Sequence, residues 1–152
     1  MGYQADVTAY GATGELLLAV EVKNRRLSDA AWAIEVRRNL LTHRFIPPTR
    51  YFLLALPDRF YLWTHEATSD PDAPPSYEVD PTELLSLYFE AAQVRPEDIS
   101  ASGFEFIVSS LLHDVAEGRQ PDGGSTPQDA WLSHSGLLDA LRGGRVAYGA
   151  VA

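Results

Sequence analysis

Cysteine is absent from the 152 residues, which excludes disulfides, zinc–thiolate centres and thiol nucleophiles. Lysine is almost absent: Lys23 stands alone among 12 basic residues, and the rest are arginine. No apolar run approaches the length needed to cross a bilayer. Residues 1–6 lack the charged start and apolar core of a signal peptide, and Asp6 stands where a myristoylation site carries Ser or Thr. A cytoplasmic protein with no membrane partner is the expectation. Positive charge is scarce as well, with 21 acidic residues against 12 basic ones and a net charge of −9. A chain that grips nucleic acid by itself needs a basic surface. Contact with nucleic acid is therefore expected to be transient, or helped by a homodimer or a partner subunit that supplies the grip.

What is present describes an ordinary folded domain. Apolar residues make up 45% and charged residues 22% of the chain, enough for one domain with a core. Residues 6–10 are β-prone, 11–14 carry turn chemistry, and 16–22 form an apolar strand covered on both faces, so the three read as a hairpin. Ser28 is the expected N-cap of a helix running to about Thr42, with Ala30, Ile34, Leu41 and Phe45 on its apolar face. Strands are expected over 51–56 and 60–63, and a loop over 68–76. Helices follow: one opened by Pro81, one carrying the stripe Phe104, Ile107, Val108, Leu111, Leu112 and Val115, and a short last one with Trp131, Leu137, Leu138 and Leu141. The reading is one domain over 1–152. Its core is 1–66, its helical extension is 81–142, and 119–127 is a flexible linker.

The lone lysine closes the apolar run that ends Glu21-Val22-Lys23. Two residues apart on a strand, Glu21 and Lys23 share a face. In the hairpin, the start of the first strand lies beside the end of the second, so Asp6 becomes a neighbour of Glu21. Two carboxylates on one spot suit a hard divalent ion, Mg²⁺ or Mn²⁺, completed by water and substrate phosphate. Lysine offers a compact ammonium with a tunable pKa, which arginine does not.

Asp6, Glu21-Val22-Lys23, the hairpin, the helix from Ser28 and the strand over 51–56 together resemble the PD-(D/E)XK nuclease superfamily. The resemblance covers about residues 5–65, with Ala5 where the motif usually carries proline. It implies an α/β, restriction-endonuclease-like mixed sheet flanked by helices, here with a helical C-terminal half. It implies a divalent-metal-dependent nuclease, with DNA rather than RNA as substrate. Asp6 and Glu21 would be metal ligands, the Val22 carbonyl a backbone ligand and Lys23 the catalytic lysine. Members usually carry a helix and a strand before this hairpin, and that helix often adds an acidic ligand. Here either the fold begins late, a C-terminal helix fills the space, or the chain is a fragment. The alternative is a catalytically inactive module of the same fold with an interaction or regulatory role.

The remaining residues carry weaker signals. Arg25, Arg26 and Arg38 would form a basic rim for phosphate. Arg37, on the apolar face of the first helix, reads either as a phosphate or carboxylate contact or as a stem on the core with an exposed head. His43, His65, His113 and His134 have no metal-binding spacing and read as surface histidines. The segment 123–126 lacks the lysine of a phosphate-binding loop, and no serine sits in a nucleophile elbow. Tyr51, Phe52, Phe60, Tyr61 and Trp63 read as sheet core, because a base-stacking platform needs aromatics exposed beside basic residues.

Overall fold

Strands that are apolar on both faces must be covered on both sides, and this chain supplies both covers. A computed structural model describes residues 5–64, 69–119 and 130–148. The order is β1 (Val7–Tyr10), β2 (Leu16–Val22), α1 (Ala30–Thr42), β3 (Tyr51–Ala55), β4 (Phe60–Trp63), β5 (Tyr77–Val79), α2 (Thr82–Ala92), a 3-10 turn (Pro96–Asp98), α3 (Ala101–Ala116), α4 (Ala130–His134), α5 (Leu137–Leu141) and β6 (Arg145–Tyr148). The fold is α/β, with one six-stranded mixed sheet in the order β5-β4-β3-β2-β1-β6. Only β2 and β3 run parallel; α1 is the crossover that joins them.

Side-chain alternation sorts the sheet into two cores. Val7, Ala9, Leu18, Val20, Leu53, Phe60 and Leu62 pack with α2, α3, α4 and α5. Ala19, Phe52, Leu54, Tyr61 and Trp63 pack with α1. The α3 stripe is buried as its spacing predicts. Among the described residues no helix is long and apolar enough to cross a membrane.

Several expectations shift. Asp29, not Ser28, caps α1 and accepts from the Trp32 amide at 2.9 Å, while the Ser28 hydroxyl bonds the Tyr61 hydroxyl at 2.8 Å. The buried stripe of α1 is Ala33 and Arg37, and Phe45 lies beyond the helix, half exposed. The loop after β4 gives way to the short edge strand β5. The final helix is two helices broken at Gly136, whose φ is +84°. Most consequentially, the C-terminal half is no extension. Its helices cover one face of the sheet, and the chain returns as β6 beside β1. Of the expected linker, only Arg119 falls within the described residues.

Gly144 makes that return feasible. A Cβ there would overlap the Tyr10 carbonyl oxygen and crowd the Leu141 carbonyl at 3.0 Å. Both obstacles are backbone, so neither yields cheaply. Gly144→Ala should cost about 2–3 kcal/mol, the upper range for overpacking, read as a lowered melting temperature. An unchanged melt would show that β6 is not held against β1 as described.

Candidate active site

The hairpin register builds the site. Val7 pairs with Val20, so one step further Asp6 comes beside Glu21. The Asp6 amide donates to the Val20 carbonyl at 3.1 Å, and Asp6 Oδ2 accepts from the Val22 amide at 2.8 Å. The second bond fixes the Asp6 carboxylate across the hairpin and leaves most of its acceptor capacity for other partners. Lys23 is placed by its own amide, which donates to the Ala55 carbonyl at 3.0 Å and continues the parallel pairing with β3. Its Nζ lies 3.4 Å from Glu21 Oε1. Ala19 belongs to the core on the α1 side, so alternation places Glu21 and Lys23 on that side too. The Val22 side chain packs against the opposite core.

The electrostatics of Glu21 are unusual for a surface strand end. Its side chain is only 12% exposed. Burial pushes its carboxyl up to about 7; the neighbouring Asp6 charge adds to the rise, and Lys23 opposes it. Asp6 is near enough to Glu21 to raise its carboxyl, so one proton or one cation can relieve the repulsion between them.

Sequence reasoning missed one member of this group. Glu105, in the first turns of α3, lies within electrostatic reach of Asp6, and its carboxyl is raised first by burial and then by the Asp6 charge. Asp6 thus links a carboxyl from β2 with one from the helical layer. Nothing in local spacing ties Glu105 to Asp6; the only signal is its place in the first half of the apolar stripe.

The donor set fits a divalent ion in a limited way. Among the described residues no group of three His, Cys, Asp or Glu side chains is arranged to enclose a metal. Two neighbouring carboxylates, with water completing the shell, remain a usual arrangement for Mg²⁺.

The loop that carries Lys23 onward is pinned at three points. Asn24 Nδ2 donates to the Ile99 carbonyl at 2.9 Å, the Leu27 amide donates to Asp58 Oδ2 at 3.0 Å, and Asp29 caps α1. Leu27 is held at φ +60° with its side chain 92% exposed.

The arginines divide. Arg25 stays by the site, its guanidinium 4.6 Å from the Trp32 ring centroid. Arg26 lines a different cavity, with Phe89 and Arg95. The head of Arg37 is not exposed. Its guanidinium is buried 5.1 Å over the Trp63 ring and donates to the Asp70 carbonyl at 2.9 Å. Arg38 pairs with Asp72 at 2.6 Å. The reason is helix rise: α1 starts at the site end of the sheet, and seven residues carry it about 10 Å away by Arg37. The histidines stay apart as well. His43 and His134 are exposed, and His113 lies 3.6 Å from Glu117. Asp114 accepts from the Tyr88 hydroxyl at 2.6 Å, and His65 lies outside the described residues.

No protein-family model matches the chain, and no curated protein or solved structure matches it.

Proposed function

We propose that this chain is a divalent-metal-dependent nuclease of the restriction-endonuclease-like fold, cleaving phosphodiester bonds in DNA rather than RNA. One observation carries the reading. The hairpin register makes Asp6 and Glu21 neighbours at adjoining strand ends, with the sole lysine of the sequence 3.4 Å from Glu21. The place of α3 and β6 adds support. They lie beside the hairpin and bring Glu105 to Asp6, as the helix and strand that usually precede this motif would.

Asp6 and Glu21 would hold the ion, with Glu105 held near by Asp6 and the Val22 carbonyl as a backbone donor. A bound Mg²⁺ or Mn²⁺ polarises a phosphoryl oxygen and lowers the pKa of a water. Lys23 orients the attacking water and stabilises the negative charge that builds on the phosphoryl group. The Val22 amide keeps Asp6 aimed across the hairpin. With a net charge of −9, a homodimer or a partner subunit supplies the remaining grip on DNA.

A second reading keeps the fold and drops the chemistry: a non-catalytic interaction or regulatory module. The same net charge favours it, as does the mutual satisfaction of Glu21 and Lys23.

Metal binding tests the site. An ion that binds the native state alone, at 100 times its dissociation constant, adds about 2.7 kcal/mol, or roughly 5–10 °C in melting temperature. Asp6→Asn should lose that shift and Glu105→Gln should reduce it. Because Glu21 must be ionised to bind, a carboxyl at about 7 should weaken apparent affinity about tenfold between pH 8 and pH 6. Equal shifts in all three proteins would place the ion elsewhere on the acidic surface.

A further inference from the structure

We infer that the groove opening beside Lys23 holds an unpaired nucleobase, which makes single-stranded DNA the substrate of this site. The inference rests on the reading of Lys23 as the phosphodiester site and says which strand state that site accepts.

The groove lies between the Lys23 loop and α1 and has a volume of about 450 Å³. That is within the range of small-molecule sites, roughly 300–1,000 Å³. Its apolar lining is Trp32, Val36, Leu40 and Phe45; its polar lining is Lys23, Asn24, Arg25 and Asn39. No carboxylate lines it, although acidic residues outnumber basic ones in the chain. Arg25, and Lys23 once Glu21 is engaged by an ion, therefore favour an anion, and the aromatic and aliphatic lining favours a flat apolar body next to it. A nucleotide joins those two parts.

The aromatics meet the condition for a stacking platform. Trp63 and Trp131 are buried at 0% and 3% exposure, whereas Trp32 is half-buried and Phe45 is 51% exposed. Arg25 stacks on Trp32, so a cation accompanies the ring. The Asn39 amide carries donors and an acceptor suited to a base edge. Continuity with the site sets the strand state. A phosphate at Lys23 places its own sugar and base against the adjoining groove. A base still paired and stacked in a duplex has no free face for Trp32 or Phe45, so the base must be unpaired.

Trp32 is the one tryptophan that is not buried, and it lines the groove, so intrinsic fluorescence reports on a base there. The test uses Glu21→Gln protein without added metal, in which cutting is removed and one repelling carboxylate neutralised. The probes are single-stranded oligothymidylate, an abasic strand of equal length, and a duplex. Thymidylate should quench the fluorescence, and the abasic strand and the duplex should not. With binding read by the anisotropy of end-labelled strands, Phe45→Ala and Trp32→Ala, with melts confirming their folds, should each weaken thymidylate binding roughly five- to 150-fold, the span of one base–aromatic stack. Their affinity for the abasic strand should not change. Equal binding of thymidylate and abasic strands, or full affinity in Phe45→Ala, would overturn the inference. Two results separate it from the reading beneath it. If Glu21-dependent cutting of duplex DNA is untouched by Phe45→Ala, the groove fails and the Lys23 site stands. If thymidylate quenches but the wild type cuts no substrate, base binding stands and the nuclease reading fails.

Discussion

Glu21→Gln should make the folded chain more stable above neutral pH while abolishing any cleavage. The Glu21 carboxyl, held at about 7, sits well above the usual glutamate range near 4.5, with burial the larger cause and Asp6 the next. Between those two values the native chain keeps a proton that the unfolded chain has lost. Stability therefore falls as pH rises through this window, and the full cost is reached above pH 7. A shift of that size corresponds to on the order of 2 to 3 kcal/mol once partial solvent contact is allowed for. Glutamine has the shape without the charge, so the variant should melt about 5–10 °C above wild type at pH 8 and level with it near pH 4. Calorimetry at the two pH values reads the difference directly. A variant less stable at pH 8 would mean that Lys23 holds Glu21 as a net-favourable ion pair, and the carboxylates would not be a strained pair awaiting a cation.

Lys23→Ala should separate chemistry from folding. The side chain is 43% exposed and makes one ion pair, so its removal should alter stability by no more than about 1 kcal/mol. Its loss should nevertheless lower the cleavage rate by roughly 10²–10³, the usual effect of removing one group that stabilises developing charge. Lys23→Arg should be as inactive, because the planar guanidinium is bulkier and cannot place a compact point charge at the same spot. A secondary effect has a fixed sign. Lys23 opposes the rise of the Glu21 carboxyl, so Lys23→Ala should move that titration further up. Undiminished cleavage by either variant would remove the lysine from the mechanism.

Local pattern made β1 to β4 and α1 legible, because each is a short apolar run bounded by turn or capping residues. The hairpin register followed from two strands and one turn, and with it came the meeting of Asp6, Glu21 and Lys23. What stayed hidden depends on long-range placement. β6 is four residues of modest β-propensity after a glycine pair, and only pairing with β1 makes it a strand. Glu105 enters the site because α3 packs across the sheet beside Asp6. The burial of the Arg37 head was hidden because the Asp70 carbonyl that it donates to lies on a loop with no periodic signature. The groove that joins Trp32 to Phe45 was invisible for a related reason. Phe45 lies past the end of α1, so helical spacing says nothing of where it falls.

The central claim is that Asp6, Glu21 and Lys23 form a metal-dependent phosphodiester-cleaving site. Its most direct test is cleavage of end-labelled single-stranded and duplex DNA and RNA with Mg²⁺ or Mn²⁺, by wild type and Glu21→Gln purified side by side. The account predicts cleavage of DNA by the wild type, full arrest by chelation, and none by the variant. Equal cleavage by both proteins would contradict it, as would a wild type that binds the ion at Asp6 and Glu21 yet cuts nothing.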